Sequence, residues 1–377
     1  MELSTVGSPR WQDYVLLQGD QLANSWTSRL SGRPRNILFI IGKGFDPRMC
    51  AGIKVLLKAG GSGKRDILAI DFPEGAQSPS LTHRSLIEKN WQELEATAKG
   101  RANLTTFPIK MRSDDGRRIG SRNAAAVLDS IEDILSYDEI VIDTSALPRS
   151  IFFPLIAKAM LLVDGATLRP NLHVFVSEDA ALDGAIEDEG VEDAAGFVHG
   201  FGATMDLESA AGVPTVWMPL LGERQREQLK LIHELVKPEE ICPVLPSPSR
   251  SPRRCDGLVS EYRELLFDRL RVEPRNFIYA SERNPFEVYG QVRKAILQYR
   301  LALAPLGGSK TVLSAHSSKL MSIGALLVAY ELRHYKVNVG VAHVETDGYI
   351  VRGRGPEEVS EASQLFDLWL CGECYDA

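Results

Sequence analysis

Cysteine is scarce in this chain: Cys50, Cys242, Cys255, Cys371 and Cys374 are the five thiols among 377 residues. An odd number spread so thinly argues against a disulfide scaffold and for a reduced compartment. An apolar leader is also missing, because MELSTVGSPRWQDY is polar and mixed in charge, so a cytoplasmic protein is expected. Long hydrophobic runs are absent. The best candidate, Ile151 to Val163, carries Lys158 and falls short of the roughly 20 residues that cross a bilayer, so no membrane is expected among the partners. There is no excess of basic charge either. Forty-three Lys and Arg against fifty Asp and Glu give a net charge of −7, which argues against non-specific nucleic-acid binding. The seven histidines form no H-x-x-x-H or H-E-x-x-H group, and Cys371 and Cys374 make a lone C-x-x-C, half of a zinc site at most. No metal ligand is assigned.

What is present is an ordinary soluble composition, 44% hydrophobic and 25% charged. Apolar strands alternate with amphipathic helices at about 30 residues per unit, the spacing of parallel βαβ construction. Asn36 to Ile41, Asp66 to Phe72, Leu104 to Ile109, Glu139 to Asp143 and Leu172 to Val176 read as strands. Thr215 to Pro219, Ile241 to Leu245, Phe277 to Ala280, Thr311 to Leu313 and Val337 to Val344 continue the series. The fold class is therefore α/β: a Rossmann-like, mostly parallel sheet flanked by helices, as two facing Rossmann-like halves or as one long sheet. The expected organisation is a polar, loop-like segment over 1–35, ending in Arg29, Arg33 and Arg35, then a Rossmann-like lobe over 36–195. A second α/β lobe follows over 196–377, with 246–254 as a loop or linker. Glu178 to Asp193 reads as a solvated loop or surface helix, and Pro356 to Leu370 as a last helix.

Candidate sites fall where strands end. Gly42-Lys43-Gly44-Phe45-Asp46-Pro47-Arg48 follows the first strand. Gly42 and Gly44 permit a tight turn and close backbone approach to a ligand, and Asp46 and Arg48 are expected on the rim. The third glycine of a dinucleotide fingerprint is missing. Asp143-Thr144-Ser145-Ala146-Leu147-Pro148-Arg149 puts an acid at the end of a buried strand, where α/β proteins place polar groups. Asp143 there serves as a ribose acceptor, a Mg²⁺ ligand or a base, or else as a helix cap. The third loop is Ser314-Ala315-His316-Ser317-Ser318-Lys319, which opens straight into an apolar helix. Ser314, Ser317 and Ser318 offer hydroxyls and Lys319 a cation at the positive end of the helix dipole. Glu282 lies at a further strand-to-helix junction, with Asn284 as the expected helix cap. Prolines precede arginines in three loops, at Pro47-Arg48, Pro148-Arg149 and Pro252-Arg253-Arg254. Such forks suit phosphate or carboxylate. Gly60-Gly61-Ser62-Gly63-Lys64 is not a phosphate loop, because it lacks the leading glycine and precedes a strand.

The loops around Asp143 to Arg149 and around Ser314 to Lys319 resemble those of the CRISPR-associated Rossmann-fold (CARF-like) nucleotide sensors. The resemblance covers about a third of the chain. It implies binding of a nucleotide second messenger at the C-terminal edge of a parallel sheet, a sensor or regulatory role in prokaryotic antiviral defence, and protein partners in a defence complex. The chain departs from that pattern in having no recognisable effector nuclease motif. The residues leave a second reading open: an enzyme acting on a nucleotide or phosphorylated metabolite, a hydrolase or transferase. Its base or metal ligand would be Asp46, Asp143 or Glu282, and Arg48, Arg149 and Lys319 would steady phosphate charge. A small phosphorylated ligand is common to both readings, and a nucleotide with Mg²⁺ is the cofactor that suits them.

Overall fold

The structure, a computed structural model, describes residues 6–75, 78–202, 212–351 and 363–375. It divides into two compact units. The first comprises Tyr14–Gly190 and Thr346–Ala377, and the second Met1–Asp13 and Val191–Glu345. Each is α/β.

In the first unit the helices are α1 (Gly19–Gly32), α2 (Ala51–Ala59), α3 (Arg84–Ala98), α4 (Gly120–Ala126), α5 (Arg149–Asp164) and the short α6 (Ala180–Ala185). Its main sheet contains β1 (Val15–Gln18), β2 (Ile37–Gly42), β3 (Arg65–Asp71), β4 (Asn103–Pro108), β5 (Glu139–Asp143), β6 (Asn171–Glu178) and β16 (Gln364–Cys371). The strand order is β1-β16-β6-β5-β2-β3-β4. From β6 to β4 every pairing is parallel, whereas β16 runs antiparallel to both β6 and β1. The central strands are buried because helices cover both faces: all of β2 and all of β5 are buried, and the only charged residues of β5 are Glu139 and Asp143 at its two ends. Two further strands, β7 (Ile186–Val191) and β15 (Thr346–Val351), pair as a separate ribbon.

The second unit repeats the plan. Its helices are α7 (Arg226–Val236), α8 (Arg254–Glu261), α9 (Pro285–Ala302) and α10 (Lys319–His334). Its strands are β8 (Gly196–Phe197), β9 (Thr215–Leu220), β10 (Glu240–Ile241), β11 (Val244–Pro246), β12 (Ile278–Ala280), β13 (Lys310–Ala315) and β14 (Val339–His343). They are ordered β12-β11-β9-β13-β14-β8, with β10 against the start of β9. All are parallel except β8. Every residue of α10 from Leu320 to Leu332 is buried, the mark of a helix enclosed on all sides. Gly324 permits this packing: a Cβ there would lie 2.6 Å from both the Pro285 carbonyl oxygen and Val288 Cβ of α9.

Several elements differ from the sequence expectation. The segment read as polar and loop-like over 1–35 holds β1 and α1. The helix buries only Leu22, Trp26 and Leu30, a stripe repeating every four residues that its polar face obscures. The last helix expected over 356–370 is, within the described residues, the strand β16; the rest of that stretch lies outside them. β16 is covered on both faces, so its apolar residues do not alternate and the strand period is hidden. The acidic stretch after Glu178 forms α6 and β7 instead of one loop or helix. Relative to a division at 195/196, residues 346–377 return to the first unit, because β16 pairs with β6, and residues 1–13 join the second. Segment 247–253 connects β11 to α8 inside one unit.

Candidate ligand sites at the sheet edges

Numbered within each unit, both parallel sheets have the order 3-2-1-4-5: β4-β3-β2-β5-β6 in the first and β12-β11-β9-β13-β14 in the second. The connections diverge between strands 1 and 4, and the crevice beyond their C-terminal ends is where doubly wound folds take ligands. Every site residue selected from sequence lies on a loop, strand end or helix start at one of these two edges. Asp46, Asp143 and their neighbours flank the β2/β5 junction, and Glu282 and the serines flank β9/β13. The two Ser-Ala loops thus follow topologically equivalent strands.

Glycine is required where the loops meet. A Cβ on Gly42 would lie 2.5 Å from Leu147 Cδ2, and one on Gly44 3.1 Å from the Ala146 carbonyl oxygen. At the second unit's junction a Cβ on Gly222 would come within 1.9 Å of the His316 carbonyl oxygen. The first-strand loop therefore packs on the fourth-strand loop in both units.

In the first unit most of the selected polar groups hold the loops in place. Arg48 is not on a rim: it is 1% exposed. Its Nε and Nη2 donate to Asp46 at 2.9 and 2.7 Å, and its Nη1 donates to Asp183 at 2.7 Å and to the Ser177 carbonyl at 3.1 Å. Burial alone would lower the guanidinium's pKa, but Asp46 and Asp183 more than offset this and raise it. Asp46 also accepts the Arg48 backbone N–H and so starts the 3₁₀ turn at Pro47. Asp143 is fully buried, and its Oδ1 accepts the Ser145 N–H at 2.8 Å. A Cβ on Gly52 of α2 would lie 2.5 Å from its Oδ2, so the carboxylate sits beneath that helix. Ser145 Oγ accepts the Ser177 N–H at 3.1 Å, tying its loop to β6. Arg149, half-buried, is the first residue of α5.

Two residues here escaped the sequence reading. Buried Asn90 donates to the Gly44 and Asp46 carbonyls at 3.0 Å each and so fixes the glycine loop, yet nothing marks this asparagine among the polar residues of α3. Lys43 places its ammonium 4.9 Å from the Trp91 ring centroid and 3.4 Å from Asp71.

In the second unit one guanidinium joins three loops. Arg254 donates to Glu223 at 2.7 and 2.8 Å and also binds Glu282. The other oxygen of Glu282 accepts the Arg250 N–H at 3.0 Å. Burial would raise the Glu223 pKa, but the hydrogen bonds and charge of Arg254 outweigh it and hold the carboxyl below its ordinary value. Glu223 directly follows the junction glycine, the signal by which it could have been found. Ser318 caps α10, accepting the Met321 N–H at 3.3 Å, and its hydroxyl donates to the Glu282 carbonyl at 3.3 Å. Asn284 caps α9 as expected. Lys319, half-buried, opens α10. Ser317 is buried against Met321 Sδ at 3.1 Å. Ser314 lies inside β13, not in the loop, and accepts the Trp217 indole N–H at 3.0 Å within the core. Nη2 of Arg250 is buried and has no hydrogen-bond partner among the described residues.

Among the described residues, no group of three or more His, Cys, Asp or Glu side chains is arranged to hold a metal ion, and no helix is long and apolar enough to cross a membrane. All five cysteines are free thiols.

No family model and no curated protein matches this chain. Among solved structures it is similar to a Type III CRISPR defence DNA nuclease activated by cyclic oligoadenylate, with a TM-score of 0.44 and 10% identity over 79% of this chain. It spans 63% of that nuclease's length. Spermidine synthase from Thermotoga maritima is similar at a TM-score of 0.23 and 18% identity, covering 41% of this chain and 42% of the synthase. A glycopeptide N-methyltransferase complexed with sinefungin is similar at 0.23 and 11%, covering 47% and 61%.

Proposed function

We propose that this chain binds a phosphorylated, nucleotide-like ligand at the C-terminal edge of the second unit's sheet and acts as a sensor or regulatory subunit, without turnover. The observation that carries the reading is the buried, unpartnered Nη2 of Arg250 on the loop after β11. A buried guanidinium N–H with no acceptor is costly, and a ligand oxygen would satisfy it. The same edge supplies the start of α10, with Lys319 in its first turn, and a helix of 16 residues presents a favourable dipole to an anion there. Arg149 at the start of α5 gives the first unit's edge a cation in the corresponding place. Binding without turnover is supported by the engagement of all three candidate bases. Asp46 is paired with Arg48, Asp143 is buried beneath α2, and Glu282 is held by Arg250 and Arg254.

A thermal-shift screen tests this against nucleotides, cyclic oligoadenylates, dinucleotide cofactors and sugar phosphates, with and without Mg²⁺. A ligand at 100 times its dissociation constant adds about 2.7 kcal/mol of stability. The expected result is a hit that is recovered unchanged and whose affinity drops at least tenfold in Arg250→Ala. A panel without hits, or a hit insensitive to Arg250, overturns the site.

A further inference from the structure

A second cluster of guanidinium groups lies at the opposite, N-terminal edge of the first unit's sheet. Arg29 and Arg33 close α1 and Arg35 precedes β2, while Glu139 and Asn171 begin β5 and β6. Arg29, Arg33 and Arg35, with Ser25, Ser28 and Gly32, line an open cavity of about 500 Å³. All three arginines reach one carboxylate, that of Glu373. Arg29 Nη2 lies 3.0 Å and Arg35 Nη2 3.2 Å from Oε2, and Arg33 Nη2 and Arg35 Nη1 each lie 3.1 Å from Oε1.

The arginines are held in place independently of Glu373. Fully buried Glu139 accepts from Arg29 at 2.7 Å and from Arg35 at 2.6 Å. Asp138 accepts from Arg33 at 3.1 Å, and the Arg29 guanidinium lies 4.2 Å from the Trp369 ring centroid. Arg35 is 8% exposed, and its Nε has no hydrogen-bond partner among the described residues. Glu373, by contrast, has a side chain 45% exposed, on a turn outside β16. That turn is secured by its backbone: the Glu373 N–H donates to Asn171 Oδ1 at 2.8 Å, and Gly372 takes φ +103° in close contact with Asn171.

Of the three carboxylates that pair with these arginines, Glu139 and Asp138 lie at the start of β5 and its approach, whereas Glu373 is the most exposed and the one all three share. A phosphate group in its place would offer more oxygens and a second charge to the same forks. We propose that Arg29, Arg33 and Arg35 form a binding site for a phosphate group, which Glu373 occupies in cis and an incoming phosphomonoester or inorganic phosphate displaces. The cavity has the volume of a small-ligand site, so there is room for the organic part of a monoester. This inference does not rest on the ligand site proposed above, which belongs to the other unit.

Calorimetric titration of the full chain with inorganic phosphate and with glycerol 3-phosphate, at ionic strength matched with chloride, tests it. Glu373→Gln removes the competing charge, and the variant is expected to bind at least tenfold more tightly than the unsubstituted chain. Adding Arg33→Ala is expected to abolish that gain, and Arg33 is exposed enough to be replaced without disturbing the core. If Glu373→Gln does not melt cooperatively, Glu373→Asp, which shortens the arm, is expected to give at least a threefold gain. Tighter binding of glycerol 3-phosphate identifies a monoester site, and equal binding a site for the bare phosphate group. No binding to the charge-free variant, equal binding with and without Glu373, or a gain that survives loss of Arg33 overturns the proposal.

Discussion

His173 Nδ1 lies 2.8 Å from Asp367 Oδ1 in the first unit, with both side chains at most 2% exposed. Asp367 also accepts the Trp26 indole N–H at 2.9 Å, and Glu139 Oε2 faces the other ring nitrogen at 3.4 Å. Burial alone would keep the imidazole neutral, but Asp367, and after it Glu139, overcome this and push its pKa up to about 9. A histidine raised on folding contributes stability that is complete below its unfolded value, about 6.5. That contribution fades as the pH rises through the folded value. The melting temperature is therefore expected to fall between pH 7 and 10, and His173→Gln to flatten the fall. An unchanged slope in the variant would assign the loss to other groups.

A buried ion pair gives a second prediction. Arg48→Met leaves Asp46 without its bidentate partner in a site only 8% exposed on the acid side. Removing one partner of such a pair costs roughly 3–5 kcal/mol, mostly as an uncompensated buried charge. Urea denaturation measures it. The second unit's ligand affinity should be unchanged, whereas loss of binding at full stability would restore Arg48 as a ligand residue.

The contrast between these two sites shows what the sequence could convey. Apolar runs such as Ile37 to Ile41 made the parallel strands legible, because a short, β-branched apolar run bounded by turn residues marks a buried strand even without alternation. Loops at strand ends were legible for the same reason: polar residues appear where the chain leaves the core. The partner of each polar group was not. Arg48 and Arg254 look alike in proline-bearing loops, but one is buried between its own loop, β6 and α6, and the other bridges three loops. That depends on contacts as distant as Ser177 or Glu282, which no local pattern encodes. Ser314 was misplaced for a related reason: β13 continues one residue past it, which turns a loop hydroxyl into a partner for Trp217.

Two glycines are expected to respond oppositely to alanine. Gly222→Ala places a methyl group 1.9 Å from a backbone oxygen that cannot yield cheaply, so the β9 and β13 loops must separate. A loss of about 1–3 kcal/mol is expected, as for other overpacked sites, with weakened ligand binding at that edge. Gly257 lies in α8, where an added Cβ meets nothing within 4 Å. Its replacement should stabilise by roughly 0.5–1 kcal/mol through helix propensity alone. Thermal melts of the two variants decide it.

Glu282 offers the sharpest separation of binding from catalysis. Its carboxylate accepts the Arg250 N–H and binds Arg254, which in turn holds Glu223, so it ties the loops after β9, β11 and β12 together. Glu282→Gln keeps an oxygen for one of these contacts but removes the charge facing Arg254. A hydrogen bond to a charged group is worth about 1.5–3 kcal/mol, so a stability loss of that order is expected. Arg254 keeps Glu223, which limits the rearrangement. If Glu282 only positions the loops, a ligand identified by thermal shift should still bind the variant within a fewfold of its original affinity. Chromatography should then recover that ligand unaltered from both proteins. Conversion of the ligand by the unsubstituted chain and not by Glu282→Gln, at similar affinity, would make the carboxylate catalytic and replace the sensor with an enzyme.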